Sequence, residues 1–309
     1  MSKNFQSVIV IAGLPRSGTT VLQKMIASDK AVYTEPETWL IPLTLGGIEK
    51  SSHSNVGLET SRIQSKRFQG FDRFLVESLV DYFRETAKRN ACKVYLEKTP
   101  RNYFFIHQIS QDPKALTIVL VRRPRRIIAS FIKYFFNNSF RYLNGYVVDL
   151  VLGSRLMSED FVIANNPPLV LKYENLDDLA WRETVKRKTG VIINGNLRSL
   201  PKGVGDSGYK SKLKEFSISE MDSDPTMVNT FSKKAFILTV EKLFFGNYGS
   251  RYGYDRSSWS DIQINNYSLK SELIDIFHLI IQLIIILIKS VGSFLMSFGR
   301  VSKFSIFNN

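Results

Sequence analysis

The feature that most constrains this chain is residues 8–20, Val-Ile-Val-Ile-Ala-Gly-Leu-Pro-Arg-Ser-Gly-Thr-Thr. The β-branched apolar run predicts a buried strand, and the glycine-bracketed turn after it leads directly into a helical pattern. Gly13 and Gly18 can adopt backbone conformations closed to other residues, so the turn can aim its N–H groups inward beside the positive end of the helix. The segment therefore predicts an anion site between a strand and a helix.

The spacing of these glycines is similar to the ATP/GTP loop G-x-x-x-x-G-K-[ST], but Thr19 stands where that loop has its lysine. A nucleoside triphosphate is therefore disfavoured. Arg16 instead places a planar cation inside the loop, which suits a shorter, doubly anionic group. Ser17, Thr19 and Thr20 add hydroxyl donors.

The segment Pro15-Arg16-Ser17-Gly18-Thr19-Thr20 resembles the 5′-phosphosulfate loop of sulfotransferases that use 3′-phosphoadenosine 5′-phosphosulfate (PAPS). The resemblance implies an α/β fold of the P-loop type, with three layers and a central, mostly parallel sheet. It also implies that these six residues bind the donor and that Arg16 neutralises charge growing on the bridging oxygen. A glycine turn before a packed helix is the alternative for the hexapeptide alone.

A second segment, Tyr33-Thr34-Glu35-Pro36-Glu37, places carboxylates shortly after the predicted first helix. Pro36 restricts Glu35 to an extended conformation. The Glu-Pro pair resembles carbohydrate sulfotransferases, which implies that Glu35 is the general base. Glu37 is the second candidate for the base, because alternation along an extended strand would turn its side chain to the same side as that of Glu35. A solvated loop carboxylate is the alternative for Glu35.

Residues 94–101, Val-Tyr-Leu-Glu-Lys-Thr-Pro-Arg, predict a second buried strand that ends at a polar corner, and Glu-Lys-Thr-Pro resembles the same sulfotransferase branch. Because the carboxyl ends of strands form the ligand crevice in α/β sheets, Lys98 is expected to point toward the loop's anion. A surface lysine is the alternative.

A third strand is predicted over residues 115–121, and Pro124 suits the first turn of the helix that follows. By resemblance, Arg122 and Ser130 hold the 3′-phosphate of PAPS. Arg123 replaces the acidic residue usual in the family and makes this corner more basic. A solvated basic face is the alternative.

Two weaker segments complete the resemblance. Tyr173 lies in a Tyr-Glu-x-Leu segment after a fourth strand, where a structural role and a place in the nucleotide pocket have equal weight. Lys202 and Gly203 belong to a glycine- and lysine-rich loop, residues 199–213, that is similar to the family's late loop over the 3′-phosphate. A surface loop is the alternative there. Helices are expected over 71–87, 139–163 and 227–245, and a long loop over 43–69.

The chain has 42 Lys and Arg against 28 Asp and Glu, a formal charge of +14, which favours anionic partners. No nucleic-acid-binding signature accompanies the charge, so nucleic acid is not expected. Cys92 is the single cysteine, which excludes an intrachain disulfide and fits a reducing compartment. The three histidines lie far apart without ligand spacing, so no metal is expected.

The chain is expected to divide into a sulfotransferase domain, 1–258, and an apolar helical tail, 259–309. Residues 273–288 are almost uniformly apolar, which indicates a helix that contacts a membrane surface, a second copy or the domain itself. The N-terminus has no secretory signal. We therefore expect a cytoplasmic protein, with the tail as a candidate peripheral contact at the inner face of the membrane.

Together these features predict a PAPS-dependent sulfotransferase that acts on a hydroxyl acceptor, by resemblance a carbohydrate or glycolipid, without a metal. An atypical P-loop kinase and a non-catalytic membrane-associated adaptor are the alternatives. The acceptor and the oligomeric state are open at this stage.

Overall fold

The computed structural model describes residues 6–50, 71–134, 140, 143–158, 166–194 and 226–285. Within them lies a five-stranded sheet in the order β2-β3-β1-β4-β5, in which every neighbouring pair is parallel. Its strands are β1 Val8–Ala12, β2 Val32–Thr34, β3 Val94–Lys98, β4 Ala115–Val121 and β5 Leu169–Lys172. The α/β prediction with a central parallel sheet is confirmed.

Helices cover both faces of this sheet. They are α1 Thr19–Ile26, α2 Leu40–Lys50, α3 Phe71–Arg89, α4 Ile106–Ile109, α5 Pro124–Tyr134, α6 Leu143–Val148, α7 Ser154–Met157, α8 Leu179–Thr189, α9 Phe231–Phe244, α10 Gly246–Tyr252 and α11, residues 269–285. Short 3₁₀ turns occur at Pro100–Phe105, Tyr173–Asn175 and Trp259–Asp261. Two further strands, β6 Thr226–Val228 and β7 Ile262–Ile264, form a separate parallel pair.

Alternation along β1 shows why the sheet needs cover on both sides. Ile9 and Ile11 join the core that contains α1 and α8, whereas Val8 and Val10 join the core formed with α2 and α3. Every residue of β1 and β4 is buried, as expected of central parallel strands that read as continuous apolar runs. The result is three layers, helix on sheet on helix.

Two expectations about local structure are wrong. Residues 40–50 form a helix, whereas a loop was expected from residue 43, because Ile41 and Leu45 pack against α3; the rest of that expected loop, 51–69, lies outside the described residues. Residues 226–228 pair with β7, so α9 begins only at Phe231. The helix expected over 139–163 is present where the structure describes an unbroken segment, at 143–157, with a π-helical turn, Asp149–Gly153, inside it.

The carboxyl ends of the parallel strands meet at one edge of the sheet, which also carries the loop after β1. Near this edge the β6–β7 pair and α9 add a further wall. None of the helices in the described ranges combines the length and hydropathy of a membrane-spanning segment.

Candidate active site

The loop between β1 and α1 depends on backbone conformations that few residues tolerate. Gly18 has φ 99° and Arg16 φ 71°, and the Ser17 N–H donates to the carbonyl oxygen of Leu14 at 3.0 Å. A Cβ on Gly13 would lie 2.8 Å from the carbonyl oxygen of Leu120. A non-glycine residue at positive φ costs about 1–3 kcal/mol and typically marks a functional site. The strain at Arg16 therefore supports a loop built around a ligand.

An aromatic ring closes directly over this loop at Gly18. A Cβ there would lie 2.3 Å from Cδ2 of Tyr173, so only glycine allows the ring to pack so closely. The guanidinium carbon of Arg122 lies 4.1 Å from the centre of the Tyr173 ring. Nη1 of Arg122 donates to the carbonyl oxygen of Arg16 at 3.5 Å. Tyr173 and Arg122 therefore lie beside the loop.

Arg16 and Ser130 also lie together. Nε of Arg16 donates to Oγ of Ser130 at 3.0 Å. Its guanidinium carbon lies 4.0 Å from the centre of the Tyr134 ring, which is at the end of α5. The Arg16–Ser130 contact thus joins the loop after β1 to α5. By resemblance, Arg16 was expected at the 5′-phosphosulfate of the donor and Ser130 at its 3′-phosphate.

These residues line a cavity of about 900 Å³. Pro15, Gly18, Thr19 and Thr20 also line it. Among the described lining residues six are basic and two are acidic: Arg16, Arg101, Arg122, Arg126, Lys133 and Lys233 against Glu37 and Asp149. Because low-dielectric walls focus the field of such a cleft, the cavity favours a polyanion.

Ser17 is placed differently from its neighbours. Its side chain is buried, its Oγ finds no hydrogen-bond partner among the described residues, and it does not line the cavity. The hydroxyl lies instead behind the loop, close to Gly13. Lys202 and Gly203 lie outside the described residues.

Strand order places two different sets of side chains on the two sides of the loop. β4 lies on one side of β1 with β5 beyond it, and the segments that follow them carry Arg122 and Tyr173. β3 lies on the other side with β2 beyond it, and the segments that follow them carry Arg101 and Glu37. The cavity reaches both sets, so the loop lies between two groups of lining side chains.

The two glutamates after β2 point in different directions. Glu35 is exposed, does not line the cavity, and accepts a hydrogen bond from the hydroxyl of Tyr33 at 2.6 Å, which raises the pKa of Tyr33 to about 12. Glu37 lines the cavity, and its Oε1 accepts a hydrogen bond from Nζ of Lys98 at 2.8 Å. Because β2 ends at Thr34, the alternation expected to align the two carboxylates does not extend to Glu37.

Lys98 differs from its expected position beside the loop's anion. Its side chain is 1% exposed, it does not line the cavity, and its ammonium group is paired with Glu37. A buried lysine needs such a partner, since an unpaired charge there would be costly. Lys98 therefore acts on the cavity through the carboxylate that it holds.

Glu97 fixes the turn that carries Glu37. Its carboxylate accepts hydrogen bonds from the hydroxyls of Thr99 at 2.7 Å and Thr38 at 2.9 Å, and the backbone N–H of Trp39 donates to Thr99 Oγ1 at 3.2 Å. Burial raises the pKa of Glu97 to about 7. Trp39, which lines the cavity, has φ 57°, a second strained residue at the site.

Sequence reasoning missed a buried ion pair in the cavity wall. Arg101 forms two hydrogen bonds with Asp149, from Nε at 3.0 Å and from Nη2 at 2.8 Å, and the Tyr103 hydroxyl donates to the same carboxylate at 2.7 Å. Asp149 is fully buried at the start of the π-helical turn. The signal was a single acidic residue inside the apolar run Val147-Val148-Asp149-Leu150-Val151. Such a residue needs a buried partner.

A parallel sheet, a glycine loop at its carboxyl edge and a strongly basic cavity define a phosphate-loop α/β protein. The chain belongs to the sulfotransferase family, whose model matches residues 8–177, more than half of its length. It is also similar to the nodulation protein NoeE of Sinorhizobium fredii (strain NBRC 101917 / NGR234). The two are 29% identical over 132 residues, which are 40% of this chain and 30% of NoeE. The match therefore spans less than a third of NoeE, and the family is what the comparisons establish for this chain.

Proposed function

We propose that this protein transfers the sulfuryl group of PAPS to a hydroxyl group of a carbohydrate or glycolipid. The observation that carries the proposal is that Arg16 and Arg122 meet in one cavity beside the glycine loop. A donor with separated anionic groups at its 5′ and 3′ positions needs two such cations within reach of one molecule.

The residues present fit this donor better than a triphosphate. Gly18, at φ 99°, lets the loop close without a side chain, and α1 follows immediately with its positive end. Thr19 provides no cation of the kind that reaches β- and γ-phosphates. The Tyr173 ring packs on Gly18 with Arg122 above it, which gives a basic, partly aromatic pocket suited to an adenosine phosphate.

Bound PAPS would supply a sulfuryl group attached to a phosphate leaving group. The loop N–H groups, with Thr19 and Thr20, would hold the 5′ end, and Arg16 would neutralise charge that grows on the bridging oxygen. Arg122 and Ser130 would hold the 3′-phosphate and so distinguish this donor from other nucleotides. Most of the rate would then come from positioning and charge stabilisation.

Glu37 is the better candidate for the general base. It lines the cavity, and among the described residues no hydrogen bond reaches its Oε2, which can therefore accept the acceptor's proton. The ammonium group of Lys98 holds this carboxylate in place at the cavity wall. Glu35, bonded to Tyr33 outside the cavity, has no comparable access.

The part of the cavity beside β2 and β3 suits a sugar hydroxyl. Trp39 and Tyr146 line it with rings that combine an apolar face and a polar tip, and Arg101 offers N–H donors. A mixture of flat apolar surface and a few oriented polar groups is typical of small-molecule sites with defined orientation.

The proposal is tested by calorimetric titration with adenosine 3′,5′-bisphosphate, AMP and ATP. We expect the bisphosphate to bind most tightly. Arg122→Ala should weaken bisphosphate binding by about tenfold to a hundredfold, the loss of a charged hydrogen bond, and should leave AMP binding much less affected. The matched control is Arg73→Ala, whose side chain is 71% exposed on α3.

Tighter binding of ATP than of the bisphosphate would overturn the donor assignment in favour of a kinase. Bisphosphate binding without transfer of label from ³⁵S-PAPS to any glycan or lipid of a cell-envelope extract would instead favour an adaptor.

A further inference from the structure

The last described helix, α11, buries polar side chains and exposes apolar ones. Its most deeply buried side chains are polar: Glu272 is 9%, Asp275 1% and Gln282 7% exposed, and Leu279 packs against the core between them. The side chains that it turns to solvent are apolar and 41–63% exposed: Leu273, Ile274, Ile276, Phe277, Ile280, Leu283 and Ile284. A surface helix of a globular protein shows the opposite arrangement. A contiguous apolar surface of this kind marks an interaction site.

Charged contacts fix this orientation. The Glu272 carboxylate accepts hydrogen bonds from the backbone N–H groups of Phe231 at 2.7 Å and Ser232 at 2.9 Å, at the start of α9. Asp275 accepts a hydrogen bond from the Thr230 hydroxyl at 2.8 Å and forms an ion pair with Lys233 at 3.1 Å. Rotating α11 to hide its apolar face would break these buried contacts, so the face is held outward.

The same contacts connect α11 to the wall of the cavity. Lys233 and Asn229 both line the cavity, and Nζ of Lys233 donates to Oδ1 of Asn229 at 2.7 Å. Asp275 therefore holds a cation of the cavity wall from the opposite side of that wall. α11 therefore packs on the back of the wall whose inner side lines the cavity.

The charge of the chain indicates which kind of partner covers the apolar face of α11. The chain carries a formal +14, so a second copy would bring like charge to the apolar face. From residue 276 to residue 309 the sequence has no acidic residue, whereas it has Lys289, Arg300 and Lys303. An apolar helix face in a basic chain, followed in the sequence by basic residues and no acidic ones, complements an anionic bilayer, which combines apolar burial with attraction to acidic headgroups.

We propose that the apolar face of α11 lies in the surface of an anionic bilayer and holds the protein there. This contact stands independently of the proposed sulfuryl transfer.

The test is co-sedimentation of the full chain with vesicles of phosphatidylcholine alone or mixed with phosphatidylglycerol. We expect strong binding to the anionic vesicles and weak binding to the neutral ones. The double variant Phe277→Ser/Ile280→Ser should reduce the anionic partition coefficient tenfold or more. The matched control, Leu179→Ser/Ile192→Ser, replaces apolar side chains that are 70% and 51% exposed outside α11, and should bind like the wild type.

Equal vesicle binding by both double variants would overturn the bilayer proposal. A dimer in light scattering that the α11 variant converts to a monomer, without vesicle binding by the wild type, would identify a second copy as the occupant. Calorimetry with adenosine 3′,5′-bisphosphate separates the two proposals, because the α11 variant should bind the nucleotide normally even if the vesicle result fails.

Discussion

Replacing Gly18 by alanine tests the central geometry of the site. At φ 99° an L-residue is strained by about 1–2 kcal/mol. The added Cβ would also lie 2.3 Å from two atoms of the Tyr173 ring. Since carbon atoms pack at about 3.5–4.0 Å, the ring must move by roughly 1 Å or more. Arg122, 4.1 Å from the ring centre, would move with it.

The expected cost to binding follows from what Arg122 loses. A displaced guanidinium weakens a charged hydrogen bond to phosphate worth about 1.5–3 kcal/mol. The dissociation constant for adenosine 3′,5′-bisphosphate should therefore rise by about tenfold to a hundredfold in Gly18→Ala. Calorimetry measures this directly.

Gly190→Ala is the matched control. Gly190 also has a positive φ, 78°, but nothing lies within 4 Å of the added Cβ. This variant should lose about 1 kcal/mol of unfolding free energy in urea and bind the nucleotide normally. If Gly18→Ala also binds normally, the packing of Tyr173 on the loop does not position Arg122, and the reasoning fails. Repeating Gly18→Ala in a Tyr173→Ala background should reduce its effect, because the clash is then absent.

Glu37→Gln should lower the rate of sulfuryl transfer by about 10²–10⁴-fold, whereas Glu35→Gln should change it only slightly; a reversed result in a ³⁵S-PAPS assay would make Glu35 the base. Arg101→Ala leaves the buried Asp149 carboxylate without its cation and should cost about 3–5 kcal/mol in urea unfolding; a change below about 1 kcal/mol would contradict that view. Burial raises the pKa of Glu97 from 4.5 to about 7. Between these two pH values the folded protein therefore keeps a proton on Glu97 that the unfolded chain has already lost. Stability should therefore fall by up to about 3 kcal/mol between pH 4.5 and 7, and Glu97→Gln should flatten that part of the pH profile.

Much of the fold follows from local signals in the sequence. The strands at 8–12 and 115–121 are predicted correctly because each is a short, almost continuously apolar run bounded by turn residues, as buried parallel strands are; the strand at 94–98 shows the same signal only in Val-Tyr-Leu at its start. The helix from Pro124 begins where the proline allows it. The errors occur where long-range contacts override local signals. Ile41 and Leu45 complete a core formed with α3 even though Gly46-Gly47 suggests a loop.

The residues of the candidate site also fall into two groups, those whose position the sequence predicts and those placed by tertiary contacts. The proximity of Arg16, Gly18 and Arg122 can be predicted from the sequence because each follows a strand end, and parallel strands bring those ends to one edge. Asp149 and Arg101 are 48 positions apart, and nothing local relates them. Their pairing exists because the turn at Asp149–Gly153 packs over the start of the 3₁₀ turn after β3, a contact of tertiary structure.

The orientation of Glu37 shows why a candidate base is harder to identify than a phosphate loop. Strand alternation stops at Thr34, and the following turn is fixed by Glu97 and Thr99, which are about 60 positions away. A loop that binds an anion through its own backbone carries its geometry in its own residues, chiefly glycines. A carboxylate that must meet a substrate depends on partners elsewhere, here Lys98. Sequence motifs therefore predict where the glycine loop lies, whereas only the folded chain shows that Glu37 and not Glu35 lines the cavity.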